Sequence, residues 1–147
     1  FAHLLGECGV GVFGAGELVS AARRHFPASL DGVPFLVPSH NTALRRSLET
    51  WFETRRLRPT IVGEFEDSAL LKVFAEAGAG LFAAPLAIAD DVRRRYGVRL
   101  AGELDGVKER FYAISVERRL ANPAVIAISE GARRELFTPL TRRRPRA

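Results

Sequence analysis

The order of apolar and polar residues along the chain predicts six short strands. Runs rich in β-branched and aromatic residues, bounded by glycine, proline or acidic residues, are typical of strands. These runs occupy residues 9–13, 33–37, 60–65, 81–84, 98–104 and 109–116. Asp105 and Gly106 predict a turn between the last two strands, because an Asp-Gly pair favours tight turns.

Apolar residues recur at helical spacing between these strands. Leu44, Leu48, Trp51 and Phe52 form one apolar stripe, and Arg45 lies off it. The predicted helices cover residues 17–26, 42–55, 68–77, 86–96 and 122–137. Because strands and helices alternate, we predict an α/β fold with a mostly parallel sheet flanked by helices.

Acidic residues cluster where the strand over residues 60–65 ends. Glu64 and Glu66 alternate along the chain and can share one face, whereas Asp67 is better placed to cap the next helix. In open α/β sheets ligands bind beyond the carboxyl ends of strands, and carboxylates there favour a cation or a hydroxyl-rich ligand. Plain capping and a solvated edge are the alternative for all three residues.

A second polar turn follows the strand over residues 33–37. Ser39 and Asn41 offer oxygen atoms as ligands or helix caps, and His40 stands between them. A histidine in such a turn is more often a loop or capping residue than a ligand. The helices after both turns begin beyond strand ends, so their free N–H groups are expected to face the same rim.

Charge and composition narrow the class of protein. The formal net charge is +5, but four arginines among the last six residues leave about +1 for residues 1–141. We expect residues 138–147 to be a disordered basic tail, and the charge does not support DNA binding by this chain. No apolar run approaches the ~20 residues of a membrane-spanning helix. The single cysteine, Cys8, excludes a disulfide within the chain and favours a cytoplasmic protein.

Two further patterns argue against nucleotide binding and catalysis. Residues 9–14 match the spacing GxGxxG, but these glycines lie inside a predicted strand, whereas the dinucleotide motif follows a strand and opens a helix. The three histidines, His3, His25 and His40, are far apart in sequence, and no CxxC or HExxH motif is present. We therefore predict a protein that is not an enzyme and needs no cofactor.

Four stretches resemble the effector-binding region of LysR-type transcriptional regulators. They are ASLDGVPFLVPSHNTALRRSLETWF, RPTIVGEFEDSALLKVFAEAGAGLFAAP, VRRRYGV and KERFYAISVERRLANPAVIAISEGARREL. Gly78, Gly80 and Pro85 match the general pattern of the family. GEFEDSALLK and the last two stretches are similar to the subgroup that activates sodium/proton antiporter genes.

The resemblance implies a type 2 periplasmic-binding-protein fold made of two Rossmann-like subdomains joined by crossing strands. Residues 1–13 would be one crossing strand, and residues 14–105 the second effector subdomain. Residues 106–137 would be the returning strand and helix of the first subdomain. The DNA-binding domain would be absent, and the missing methionine agrees with a fragment of a longer protein.

The resemblance also implies a function and a site. An effector, for this subgroup sodium or lithium, would bind in the cleft between the subdomains and change DNA binding. The expected contributors from this chain are Ser39, His40, Asn41, Glu64, Glu66, Asp67 and Pro85. No firmly held metal ion is expected, because sodium binds weakly to exposed oxygen atoms.

The partners follow from the same resemblance. The parent protein would form a homo-oligomer, with residues 42–55 as the candidate surface, and would reach DNA through its N-terminal domain. No membrane partner is expected. The alternative is a lobe of a solute-binding protein of a transport system, since that class has a very similar two-lobed fold.

Overall fold

The structure is a computed structural model that describes residues 1–137. The prediction of a disordered tail over residues 138–147 lies outside that range. The described residues form, in order, β1 (Ala2–Gly14), α1 (Gly16–Arg24), a 3₁₀ turn (Ala28–Leu30), β2 (Pro34–Pro38), α2 (Ala43–Arg55), β3 (Thr60–Phe65), α3 (Ser68–Glu76), β4 (Phe82–Pro85), a second 3₁₀ turn (Leu86–Ile88), α4 (Ala89–Tyr96), β5 (Arg99–Ile114) and α5 (Pro123–Leu136).

The strands form two sheets, which confirms the α/β class and corrects the expectation of a mostly parallel sheet. β2 and β3 are parallel, and a parallel bridge between Phe35 and Leu81 brings β4 to the other side of β2. In the three-stranded sheet the order is β4-β1-β5, and β1 runs antiparallel to β4 with Val10 opposite Pro85. No crossover helix joins β1 directly to β4, so helical periodicity did not fix their relative direction.

The predicted turn at Asp105 and Gly106 is wrong, since β5 continues through both residues. Gly106 has a φ of 79°, a conformation that glycine adopts without steric cost, so the strand accommodates the Asp-Gly pair without reversing. Leu104 and Val107 on either side are buried and hold the strand in the core. β1 is likewise longer than predicted and begins at Ala2.

The chain divides into two compact units, residues 9–109 and a smaller unit of residues 1–8 with residues from 110 onward. In the larger unit β2 and β4 are buried, whereas β3 is mostly exposed. Phe35 and Val37 belong to a core cluster with Leu48 and Trp51, whereas Leu36 belongs to a second cluster with Leu71. This alternation follows from the pleat of β2, which directs successive side chains to opposite faces.

Hydrogen bonds join the two chain segments of the smaller unit, and a ring contact lies within its second segment. The amide of Ser115 donates to the carbonyl of Phe1 at 2.9 Å, and the Arg110 Nε lies 2.9 Å from Glu7 Oε2. The rings of Phe111 and Phe137 lie 5.3 Å apart. The subdomain boundaries implied by the family resemblance remain a prediction.

No helix within residues 1–137 is both long enough and apolar enough to cross a membrane.

Candidate functional site

The polar turn after β2 is held by its own side chains. The Ser39 hydroxyl donates to Asn41 Oδ1 at 2.8 Å, and the Thr42 hydroxyl donates to the Ser39 carbonyl at 3.0 Å. Thr42 also caps α2, because its Oγ1 accepts from the Arg45 amide at 3.2 Å. Ser39 and Asn41 therefore shape the turn, and the capping role falls to Thr42.

The acidic end of β3 lies beside this turn. Pro38 pairs with Phe65 in the parallel register, and the Ser39 amide donates to the Phe65 carbonyl at 2.9 Å. Asp67 is the N-cap of α3, because its Oδ1 accepts from the amides of Ala69 and Leu70 at 2.8 and 3.3 Å. The capping interpretation of Asp67 is confirmed, and the two strand ends form one rim.

Arg45 is the central side chain of this rim, and the sequence interpretation did not assign it a role. The residue is only 7% exposed. Its Nε lies 2.8 Å from Glu49 Oε1, and its Nη1 lies 2.8 Å from the Pro38 carbonyl and 3.2 Å from Glu64 Oε2. The guanidinium thus has acceptors on three elements, and it partly neutralises Glu64.

A signal for Arg45 was present in the sequence. Arg45 precedes Leu48 by three positions and Phe52 by seven, which is the spacing of one helical face. A charged residue on a buried face is rare unless it is paired, so this position indicated an internal ion pair. The predicted apolar stripe began at Leu44 and did not include Arg45, so the ion pair was not predicted.

His40 lies on the solvent side of the same network. Its Nδ1 is 3.6 Å from Glu49 Oε1 and its Nε2 is 3.4 Å from Glu64 Oε2, while the side chain is 69% exposed. The Arg45 Nη2 lies 3.4 Å from the same Nε2. The ring therefore bridges two carboxylates that a buried guanidinium already pairs, which leaves no oxygen cage for a divalent ion.

The structure brings six of the seven predicted site residues to neighbouring positions. Ser39, His40 and Asn41 form the turn after β2, whereas Glu64 lies near the end of β3 and Glu66 and Asp67 follow that strand. The seventh, Pro85, ends β4 on the other side of β2. Within residues 1–137 no hydrogen bond or ion pair joins Pro85 to the other six.

The rim is acidic and polar without being a metal centre. The carboxylates of Glu49 and Glu64 pair with the guanidinium of Arg45, and those of Glu66 and Asp67 follow directly after β3. Among residues 1–137 no group of three or more histidine, cysteine, aspartate or glutamate side chains is arranged to hold a metal ion. The arrangement suits a small polar or cationic ligand bound through oxygen atoms and water.

Asp67 acts on a second residue of α3. Burial lowers the pKa of Lys72, and the charges of Asp67 and Asp91 act in the opposite direction. Asp67 therefore stabilises the start of α3 both by capping and by its charge. These two structural roles explain the residue without an effector.

Comparison with known proteins begins with a family match. Residues 6–136 match the family described as the LysR substrate binding domain. This family serves regulators and is not a family of enzymes, which agrees with the prediction that the chain is not an enzyme.

The chain is also similar to a characterised regulator. It is 34% identical over 142 residues to the transcriptional activator protein NhaR of Escherichia coli (strain K12), which covers 97% of the chain and 46% of NhaR. The chain thus spans about half the length of this relative. The similarity supports the subgroup that the sequence resemblance indicated.

Solved structures confirm the fold. The effector domain of the transcriptional regulator AmpR of Pseudomonas aeruginosa is 21% identical with a TM-score of 0.63, covering 90% of this chain and 62% of that one. An ABC transporter periplasmic binding protein from Brucella ovis with glutathione bound is 15% identical with a TM-score of 0.61, covering 74% of this chain and 34% of that one. Both similarities concern the fold, and they confirm the predicted relation to periplasmic-binding-protein folds.

Proposed function

Because this chain belongs to the LysR substrate-binding domain family, we propose that it is the effector-sensing part of a cytoplasmic, DNA-binding transcriptional activator. The observation that carries the proposal is the family match over residues 6–136, together with the similarity to NhaR along nearly the whole chain. DNA binding is assigned to a part of the protein outside this chain, since the folded residues are close to neutral.

We propose that the effector meets this chain at the rim formed by the turns after β2 and β3. Ser39 and Asn41 supply neutral oxygen atoms, while Glu64 and Glu66 supply charge. Glu66 is exposed at the end of β3, and Glu64 is 42% exposed while still paired with Arg45. His40, Asp67 and Pro85 belong to the proposed site by position, although Asp67 is also committed to capping.

The proposed signal is sodium or lithium, because a regulator of sodium/proton antiporter genes would need to respond to these ions. Monovalent cations bind through several weak oxygen contacts, and an acidic rim raises their local concentration. Arg45 already occupies the inner side of Glu64, so an alkali ion would approach from the solvent side. A weak and reversible response is expected.

A lobe of a transport solute-binding protein is the alternative that the sequence left open. The similarity to the Brucella ovis binding protein supports this alternative at the level of the fold. The family match and the similarity to NhaR favour the regulator.

We also propose that the regulator is a homo-oligomer, and that α3 provides part of its surface. Leu70, Val73 and Phe74 of α3 are about half exposed, as is Ile61 of the adjacent strand. The outer face of α2, our sequence-based candidate, is instead polar. An exposed apolar helix face beside an edge strand is typical of an interaction surface.

The effector proposal is tested in the regulator that carries this chain, with a reporter gene under the promoter it controls. Cells receive NaCl, LiCl or KCl at equal ionic strength. The double variant Glu64→Gln/Glu66→Gln is expected to require about tenfold more sodium, because the loss of both charges weakens differential binding. Glu53→Gln, on the exposed face of α2, is the matched control and should respond like the wild type. An unchanged sodium response in the double variant would exclude the acidic rim as the sensor.

A further inference from the structure

The end of β3 connects the rim to α3 through two consecutive residues. Glu64 pairs with Arg45 on one side of the strand. Phe65 packs on the other side, where its ring lies 5.3 Å from that of Phe74. Successive side chains of a strand point to opposite faces, so a displacement of this strand end changes both contacts together.

Arg45 fixes the position of this strand end. Its guanidinium donates to the Pro38 carbonyl at the end of β2, to Glu64 at the end of β3 and to Glu49 on its own helix. A planar guanidinium can serve these acceptors at once with a fixed geometry, whereas a lysine ammonium acts as a point charge. The identity of this residue as arginine therefore matters as well as its charge.

The backbone bond between the two turns depends on the same arrangement. The Ser39 amide donates to the Phe65 carbonyl at 2.9 Å, directly after the Pro38 carbonyl that accepts from Arg45. Ser39 is thus tied to β3 by its backbone, and the adjacent Pro38 is tied to β3 through Arg45 and Glu64. If the side-chain tie is lost, the backbone bond is expected to open more often.

We propose that Arg45 is a positioning residue that couples the effector rim to the apolar face of α3 formed by Leu70, Val73 and Phe74. The element with two states is the end of β3, which is either held by Ser39 and Arg45 or released from them. An effector that competes for Glu64 releases the strand end, and Phe65 transfers the change to Phe74. This inference rests on the proposed function for the identity of the rim as the effector site.

Hydrogen exchange followed by mass spectrometry tests the positioning role in the intact protein. Arg45→Met removes the forked guanidinium group and keeps the apolar part of the side chain. Arg46→Met removes the same charge from the next position of α2, which is exposed. In Arg45→Met, peptides covering residues 34–42 and 60–76 are expected to exchange about tenfold faster. The charge-assisted bonds of Arg45 limit local opening in the wild type, and the variant lacks them. A peptide covering α1, and all peptides of Arg46→Met, should exchange as in the wild type.

Two results would overturn the inference. One is unchanged exchange of both peptides in folded Arg45→Met. The other is an equal increase in all peptides, α1 included, which would indicate general destabilisation. If Arg45→Met does not fold, Glu64→Gln tests the same pair from its exposed side and should accelerate the same two peptides by a smaller factor.

A conservative variant separates geometry from charge, and a salt series separates this inference from the proposed function. Arg45→Lys should restore little of the protection, because lysine cannot reach the three acceptors together. Full restoration would overturn the requirement for a guanidinium.

NaCl should accelerate exchange of residues 60–76 in the wild type relative to KCl at equal ionic strength, and not in Arg45→Met. If Arg45→Met opens the rim as expected while NaCl and KCl act alike on the wild type, sodium fails as the effector and the positioning role stands.

Discussion

Helices α2 and α3 each follow a parallel strand, yet they use their surfaces in opposite ways. α2 buries Leu48, Trp51 and Phe52 together with the charged Arg45, and its outer face is polar. α3 buries Leu71 and Ala75, and exposes Leu70, Val73 and Phe74. A helix that is apolar on both faces is usually covered on both. The contrast is the reason for proposing that α3, and not α2, provides a surface for a partner.

The largest expected effect separates the buried stripe of α2 from the outer face of α3. Leu48 is 1% exposed and Leu70 is 48% exposed, so the same truncation removes very different amounts of packing. Leu48→Ala is expected to lower the free energy of unfolding by about 3 kcal/mol. Leu70→Ala should change it by less than about 0.5 kcal/mol. Urea unfolding followed by the fluorescence of Trp51 measures both values. Equal losses would mean that the outer face of α3 is already packed.

The next prediction concerns assembly. Leu70→Lys/Val73→Lys places charge on the apolar face of α3, and is expected to weaken oligomerisation of the regulator at least about tenfold, because a charge in an apolar interface must be desolvated. Thr50→Lys/Glu53→Lys makes a comparable change on the outer face of α2. Sedimentation velocity over a concentration series distinguishes the two. If the α2 variant dissociates and the α3 variant does not, the original sequence-based surface is right and the α3 proposal is wrong.

The smallest expected effect comes from a charged side chain. Each of the two helices buries one at least in part, Arg45 in α2 and Lys72 in α3. Arg45 is surrounded by acceptors, whereas Lys72 of α3 is half-buried and its pKa is lowered by desolvation. In the folded state Lys72 therefore binds a proton less readily than in the unfolded state. Wild-type stability should rise with pH as the pH approaches the ordinary lysine value of 10.5.

Lys72→Met removes this titrating group and keeps the apolar stem. The variant should be slightly more stable than the wild type at pH 7, and its advantage should shrink as the pH rises towards 10.5 and Lys72 of the wild type loses its proton. Thermal unfolding of both proteins across that range measures the difference. An advantage that does not change with pH would show that the cause is packing and not charge.

Local chemistry was enough to predict most elements and part of the rim. Asp67 was expected to cap α3 and does so, and α2 was predicted within one residue of its observed start. The polar turns after β2 and β3 lie side by side, as parallel strands require. Each of these features depends on a few neighbouring residues, whose preferences act over one helical turn or one strand.

The features that sequence reasoning missed depend on contacts between distant residues. Asp105 and Gly106 do not reverse the chain, because Leu104 and Val107 on either side are both buried. The spacing of these two residues in the sequence does not predict their burial. The antiparallel pairing of β1 with β4 joins segments about seventy residues apart, and no periodicity reports it. The role of Arg45 required the ends of β2 and β3 to be adjacent.

The sequence by itself determined the α/β alternation, the family, the acidic turn and the cap at Asp67, because these rest on short-range preferences and on recognisable stretches. The tertiary structure alone decided that Glu64 is paired and not free, since its partner lies nineteen positions earlier on another element. It also decided that α3 leaves an apolar face uncovered, because burial is a property of the assembled layers. An ion pair and an open face both arise from distances in space, which the order of residues does not contain.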